Sequence, residues 1–147
     1  MAPGVSAPIY TRDILRLAAS LGEPAVLDRI DGEVELRSKT CGSRVSVAVT
    51  LDGGRVTAVS QRVEACAFGQ AAAALMLAGA VGRDEAGART ALAGVERWLK
   101  GDDAAAAAWP DLVVLAPARS RSGRHGAILL PFQALLGAIE AASEAQG

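Results

Sequence analysis

Apart from its methionines, this chain has three side chains suited to hold a soft metal ion: two cysteines and one histidine. Cys41 precedes a run of alternating valines, Cys66 stands where a strand pattern changes to a helix pattern, and His125 precedes the last apolar helix pattern. A thiolate is a sulfur nucleophile and a soft ligand, and imidazole ligates zinc and iron. If the three loops meet, they offer two thiolates and an imidazole to one metal ion or one sulfur atom.

Other interpretations of these residues stay open at this point. The chain has no C-x-x-C pair, and two cysteines 25 residues apart are a weak metal signal. A cysteine often packs as a small hydrophobe, and a histidine before a helix is often a cap or an exposed residue. A transient bridge between the cysteines is a further alternative. The residues by themselves predict a soluble α+β domain with a candidate thiol site.

Composition excludes several classes of function. A length of 147 residues predicts one domain over residues 1–147. A net charge of -1 and 3% aromatic residues disfavour nucleic acid and anionic membrane as partners. No uninterrupted apolar stretch reaches the length of a membrane span, and the N-terminus does not resemble a secretory signal. We therefore expect a cytoplasmic protein whose cysteines are free thiols or ligands.

Hydrophobic periodicity predicts one helix, three strands and then further helices. The clearest pattern is the alternation of valines over residues 45–51, and Asp52-Gly53-Gly54 suits a tight hairpin turn. The first predicted helix covers residues 11–21. The predicted strands cover residues 33–37, 45–51 and either 55–60 or 55–63. Further helices are predicted over residues 70–81, after Asp84, and over residues 125–142. Residues 111–116 are ambiguous between helix and strand. This order predicts an α+β fold: an N-terminal helix, a three-stranded antiparallel sheet, and helices packed on one face.

The joints between these elements match a known order of motifs. Cys41-Gly42-Ser43 precedes the valine strand, Cys66-Ala67-Phe68-Gly69 opens the helix after the third strand, and the tail over residues 124–135 opens the last helix. This order resembles the NifU-like, IscU-type family of iron–sulfur cluster assembly scaffolds, with a SufE/NifU-like fold. That family carries Cys-Gly-Asp at the first joint, a cysteine at the second and a third cysteine at the last. The likeness covers residues 8–142.

The resemblance implies a scaffold, not an enzyme, that holds zinc, iron or a nascent [2Fe–2S] cluster. It implies Cys41 and Cys66 as ligands, with His125 as a further candidate. It also implies a cysteine desulfurase and cluster-acceptor apoproteins as partners. The chain departs from the family pattern at two places. Ser43 stands at the aspartate position, and the third cysteine falls on Gly126 or Ala127, neither of which can coordinate.

These departures keep three functions open. The first is a scaffold or carrier that holds a cluster or zinc through Cys41, Cys66 and His125. The second is a sulfur-acceptor protein that takes persulfide on Cys41 from a cysteine desulfurase. The third is a binding module in which the site is vestigial.

Overall fold

A computed structural model describes residues 10–39 and 42–146 of the chain. Helices and strands follow the predicted order. The elements are α1 (Arg12–Ala19), β1 (Gly32–Arg37), β2 (Arg44–Asp52), β3 (Arg55–Glu64), α2 (Ala67–Ala80), α3 (Glu85–Leu99) and α4 (His125–Gln146), with 3₁₀ segments at Asp103–Ala108, Leu112–Ala118 and Ser122–Arg124 before α4. The prediction of an α+β fold is confirmed.

The sheet is an antiparallel meander in the order β1-β2-β3. Its register pairs Val47 of β2 with Val34 of β1 and with Gln61 of β3. Gly53 and Gly54 both have positive φ, at 58° and 81°, which the tight turn between β2 and β3 requires. Because side chains alternate across a strand, the buried valines of β2 share one face with their partners on β1 and β3.

Helices α2 and α4 cover that face of the sheet. α4 contacts β1 and β2, α2 contacts β3, and the two helices contact each other. α1 packs on α2, and α3 packs on α4. One hydrophobic core results, with its largest buried side chains at Trp98, Trp109, Phe68 and Phe132.

The link between α1 and β1 is tied to β2 and β3 by hydrogen bonds. Arg29 donates from Nη2 to the Leu51 carbonyl at 2.8 Å, and the Leu51 N–H donates to Asp31 at 2.8 Å. Nε of Arg29 also donates to the Asp31 carboxylate at 3.0 Å. This bond and the one from the Leu51 N–H hold the pKa of the Asp31 carboxyl below its usual value. Ser60 also donates from Oγ to the Ala25 carbonyl at 2.6 Å. These bonds hold the link against the sheet.

Two predicted elements differ from the structure. α2 begins at Ala67 instead of residue 70, so Cys66 is its N-cap. The ambiguous stretch over residues 111–116 is 3₁₀, since Leu112–Ala118 follows Asp111 in the left-handed region at φ 61° and contains Pro117. Thr11 and Asp84 cap α1 and α3, with side-chain oxygens that accept from Ile14 N and Gly87 N.

The last helical stretch is unusually apolar. Within the described residues, one stretch, Ser122–Ala145, is long and apolar enough to cross a membrane by length and composition alone, with a mean hydropathy of 1.4. In this fold 56% of that window is buried, against the sheet, α2 and α3. The core helix of a soluble protein meets the same criteria, so the stretch is weak evidence for a membrane span.

Candidate functional site

Cys66 caps the N-terminus of α2. It has extended backbone angles, φ -66° and ψ 173°, and its carbonyl accepts the Gln70 N–H at 2.9 Å. Its side chain makes no capping hydrogen bond and is half-buried. The free N–H groups and the dipole at this helix end favour negative charge. The thiol therefore lies where a sulfur anion would be stabilised.

A pocket of about 210 Å³ surrounds this thiol. Three chain segments that are distant in sequence build it: the turn before β2, the β3–α2 joint and the start of α4. Its lining residues are Gly42, Ser43, Glu64, Ala65, Cys66, Arg124 and Ala127. The three segments that carry the sequence motifs therefore meet at this pocket.

Cys41 lies outside the described residues. The residues after it, Gly42 and Ser43, line the pocket, and Gly42 has a φ of 72°, a left-handed conformation that glycine adopts without strain. The Ser38 N–H donates to the Ser43 carbonyl at 2.8 Å and closes the loop between β1 and β2. Ser43, at the position where the family has an aspartate, is buried with 3% exposure.

Ala127 occupies the α4 side of the pocket. It is 1% exposed and lines the pocket, whereas Gly126 is not among the lining residues. Of the two positions that the sequence left open for the third cysteine, Ala127 is thus the one that faces the site. A methyl group cannot ligate a metal ion, so α4 contributes no ligand from this position.

His125 is the first residue of α4 and stands in the sequence between two lining residues, Arg124 and Ala127. Its Nε2 is 3.1 Å from the carbonyl oxygens of both Ala118 and Arg119. Since carbonyls only accept, this contact assigns the proton to Nε2 and leaves Nδ1 as the ring nitrogen with a free lone pair. His125 is not among the lining residues of the pocket. Its role as a ligand stays a prediction.

One arginine, Arg124, gives the pocket a basic side. Arg124 lines the pocket, and within residues 10–39 and 42–146 its guanidinium makes no hydrogen bond or ion pair. Glu64, the acidic lining residue, is paired with Arg44 at 2.6 Å. Arg119, in the segment before α4, is held in the fold, because it donates to the Trp98 carbonyl and to Asp103. The unpaired charge beside the thiol is therefore positive.

The described residues contain no group of three or more His, Cys, Asp or Glu side chains that could hold a metal ion. Cys66 is the thiol that the structure describes at the pocket, and Cys41 lies outside that search. In the segment before α4, Arg124 lines the pocket and Arg121 is exposed to solvent.

Solved structures share this fold. The N-terminal part of a nitrogen-fixing NifU-like protein from Brucella abortus aligns with a TM-score of 0.80 and 30% identity, over 92% of this chain and 95% of that one. A candidate iron–sulfur cluster assembly scaffold for the SUF system from thermophilic Fervidobacterium islandicum AW-1 aligns with a TM-score of 0.78 and 19% identity, over 89% and 96%. A hypothetical protein aligns with a TM-score of 0.76 and 20% identity, over 90% and 97%.

No protein-family model matches the sequence, and no curated protein matches it. The Fervidobacterium islandicum neighbour is described as a scaffold protein, in agreement with the expectation that the chain is not an enzyme. The two neighbours near 20% identity show the fold alone. The Brucella abortus protein is 30% identical over nearly the full length of both chains, and by that likeness this chain belongs to the NifU-like family.

Proposed function

We propose that this chain is a scaffold or carrier for iron–sulfur cluster assembly. Cys41 and Cys66 are its thiolate ligands, and His125 is a further candidate ligand. The observation that carries the proposal is the pocket in which Cys66, the turn after Cys41 and the start of α4 meet. Gly42, the residue that follows Cys41 in the sequence, lines this pocket.

The cargo is iron with sulfide, or zinc in its place. A [2Fe–2S] cluster takes four ligands, and zinc commonly takes four in a tetrahedron. Two thiolates supply half of either set. Because Ala127 cannot ligate, a partner chain or a small thiol completes the set. Such an open site suits a carrier that must release its cargo.

The positive side of the pocket supports an anionic cargo. A thiolate-bound cluster or a persulfide carries negative charge, and both Arg124 and the N-terminus of α2 stabilise negative charge near Cys66. His125 contributes as a ligand if Nδ1 turns to the pocket or if the ring leaves the carbonyls of Ala118 and Arg119. We propose a cysteine desulfurase as the sulfur donor, cluster-acceptor apoproteins as recipients, and the cytoplasm as the location.

A second candidate is sulfur acceptance without a stable metal site. The observation that favours it is Ala127, which leaves the pocket without a third thiol. In this reaction the Cys41 thiolate attacks the outer sulfur of the desulfurase persulfide. A new S–S bond forms on Cys41, the old S–S bond breaks, and the desulfurase leaves as a thiolate. Arg124 would then hold the persulfide anion. A vestigial site on a binding module is the remaining alternative.

Single substitutions separate these functions. We expect Cys41→Ser and Cys66→Ser each to lower bound zinc or iron to near the background level, because each removes one of two thiolate ligands. His125→Ala should lower metal affinity about tenfold or more if the imidazole ligates. The measurement is metal content and zinc affinity of the anaerobically purified variants. Arg121→Ala is the matched control, since Arg121 is exposed and does not line the pocket.

Equal metal content in all variants would contradict the scaffold proposal. Loss of sulfur uptake from a desulfurase in Cys41→Ser alone, with Cys66→Ser unaffected, would favour the sulfur-acceptor function instead. Unchanged metal content and unchanged sulfur uptake in every variant would favour the third function, a binding module with a vestigial site.

A further inference from the structure

β1 has one edge that no other strand of the described chain pairs with. It lies at one end of the sheet order β1-β2-β3, and on its inner side the Ser38 N–H donates to the Ser43 carbonyl. Alternate residues of an antiparallel strand bond to the same neighbour, so the odd-numbered residues of β1 turn their N–H and C=O groups away from β2. These residues are Glu33, Glu35 and Arg37. Among residues 10–39 and 42–146, no backbone group bonds to this outer edge, so another strand can pair with it.

The side chains along this edge have a charge order that complements itself. Two acids and then two bases stand at every second residue: Glu33, Glu35, Arg37 and Lys39. All four are exposed, the first three on the solvent face of β1 and Lys39 in the turn that follows it. When such a strand pairs antiparallel with a second copy of itself, the acids of one copy face the bases of the other.

One register of that pairing matches every charge. With the two-fold axis at Leu36, Glu35 of each copy faces Arg37 of the other, and Glu33 faces Lys39. The facing residues are all odd-numbered, so each outward N–H group meets an outward C=O group. An axis at position 35 would set Glu35 against Glu35, and an axis at position 37 would set Arg37 against Arg37. Because like charges directly opposite each other are destabilising, the charges select the axis at Leu36.

The helix-covered face of β1 adds apolar surface to the same pairing. Val34 and Leu36 are half-buried, whereas their partners on β2, Val47 and Val45, are each only 1% exposed. Leu36 stands at the two-fold axis, where it would face Leu36 of the second copy in a pair without hydrogen bonds, with Cα atoms about 4.5 Å apart. Pairing would therefore cover apolar side chains that the single chain leaves partly in water, and this burial stabilises the pair.

Helix α4 leaves room for a second copy beside β1. It packs on both β1 and β2, and strands lie about 4.8 Å apart, so α4 and its copy would lie about 10 Å apart, the usual spacing of packed helices. Gly137 of α4 lies beside Val34, since a Cβ on it would be 3.3 Å from Val34 Cγ1. Ala141 is one turn further on the same side of the helix, and both residues are half-buried. The side of α4 that lies over β1 thus carries small residues, which allow close approach.

We propose that two copies of this chain associate through their β1 edges, as an antiparallel two-fold pair with Leu36 at the axis. The result is one continuous sheet of six strands, three from each copy, with the helices of both copies on one face. The partner is a second copy because the charge order of the edge complements itself. None of the residues of this edge lines the pocket of Cys66, so the proposal is independent of the proposed cluster site.

The test is sedimentation velocity of the full chain from micromolar to near-millimolar concentration. We expect the wild type to form dimers as its concentration rises. Glu35→Arg and Arg37→Glu should each weaken dimerisation about tenfold or more, because each sets like charges against each other twice in the dimer. Arg62→Glu is the matched control. Arg62 is exposed on β3, the strand at the far end of the sheet, so this reversal should leave association as in the wild type.

A mixture of the two variants tests the register. In a mixed pair the two arginines of Glu35→Arg face the two glutamates of Arg37→Glu, so the mixture should dimerise at least as strongly as the wild type. Neither variant keeps the contact of 3.8 Å between Glu35 and Arg37 within its own strand, so a gain on mixing comes from contacts between the copies. The double variant Glu35→Arg with Arg37→Glu restores opposite charges at both positions and should dimerise as the wild type does.

A wild type that stays monomeric at every concentration would overturn the proposal and leave the edge to another partner. Dimerisation that neither charge reversal weakens would overturn it as well, as would a mixture that associates no better than each variant alone. Both substituted residues are exposed, so we expect the variants to fold, and circular dichroism checks this. If a single variant does not fold, the double variant decides, because a double variant that stays monomeric contradicts the proposed register. All of these readouts are independent of metal or cluster binding.

Discussion

Replacing Ala127 with cysteine should convert the two-thiol site into a three-thiolate site and raise zinc affinity roughly 100-fold. Zinc sites with four ligands bind with an apparent free energy of about 10–16 kcal/mol, which is about 3 kcal/mol for each ligand. Ala127 lines the pocket of Cys66, so a sulfur added to its Cβ has space on the pocket side. Zinc affinity by competition with a chromophoric chelator is the measurement.

Gly126→Cys is the matched control for this gain. It adds the same thiol to the same turn of α4, but Gly126 does not line the pocket. We expect its zinc affinity to stay within about threefold of the wild type. A gain in Gly126→Cys with none in Ala127→Cys would show that the pocket is not the metal site. Adding Ser43→Asp to Ala127→Cys tests the second departure, since the carboxylate would supply a fourth protein ligand.

Gly32→Ala should destabilise the fold by about 3 kcal/mol, the largest stability effect that we expect from the addition of one methyl group. A Cβ on Gly32 would lie 2.0 Å from the Ala138 carbonyl oxygen and 2.7 Å from the Ala142 nitrogen. Both obstacles are backbone atoms of α4, so the helix must move away from β1. For a chain of this size the loss corresponds to a fall in Tm of about 6–12 °C in thermal unfolding.

Gly22→Ala is the control for Gly32→Ala. A Cβ on Gly22 meets no atom within 4 Å, and the residue lies in the link between α1 and β1. Its effect should stay within about 0.5 kcal/mol. Equal stability of the two variants would mean that α4 does not pack against β1 as closely as the structure has it.

The sheet could be predicted from sequence because its signal is local. The alternation over β2 specifies which face is buried, since a slip of one residue would expose every valine. The start of α2 could not be predicted as well. Because the helix is apolar on nearly all sides, hydrophobic periodicity does not show where it begins. Gly69, a poor helix former in the first turn, further obscures its N-terminus. The 3₁₀ segment Leu112–Ala118 follows Asp111 in the left-handed conformation. No sequence pattern predicts that conformation.

The candidate site was predicted in part. The motif order correctly brought the joint at Cys66, the turn after Cys41 and the start of α4 together. It could not decide between Gly126 and Ala127, because one residue of gap turns a helical side chain by about 100°. It also could not show that the Nε2 of His125 is held by two backbone carbonyls, since these come from a 3₁₀ segment that lacks periodicity.

The most direct test of the central claim is anaerobic reconstitution of the protein with iron and sulfide, followed by the absorption spectrum of the wild type and of Cys66→Ser. The scaffold proposal predicts a [2Fe–2S] absorption band with stoichiometric iron in the wild type, completed by added glutathione as the outside thiol, and its loss in Cys66→Ser. A wild type that stays free of iron and colourless, or a band that survives in Cys66→Ser, would contradict it.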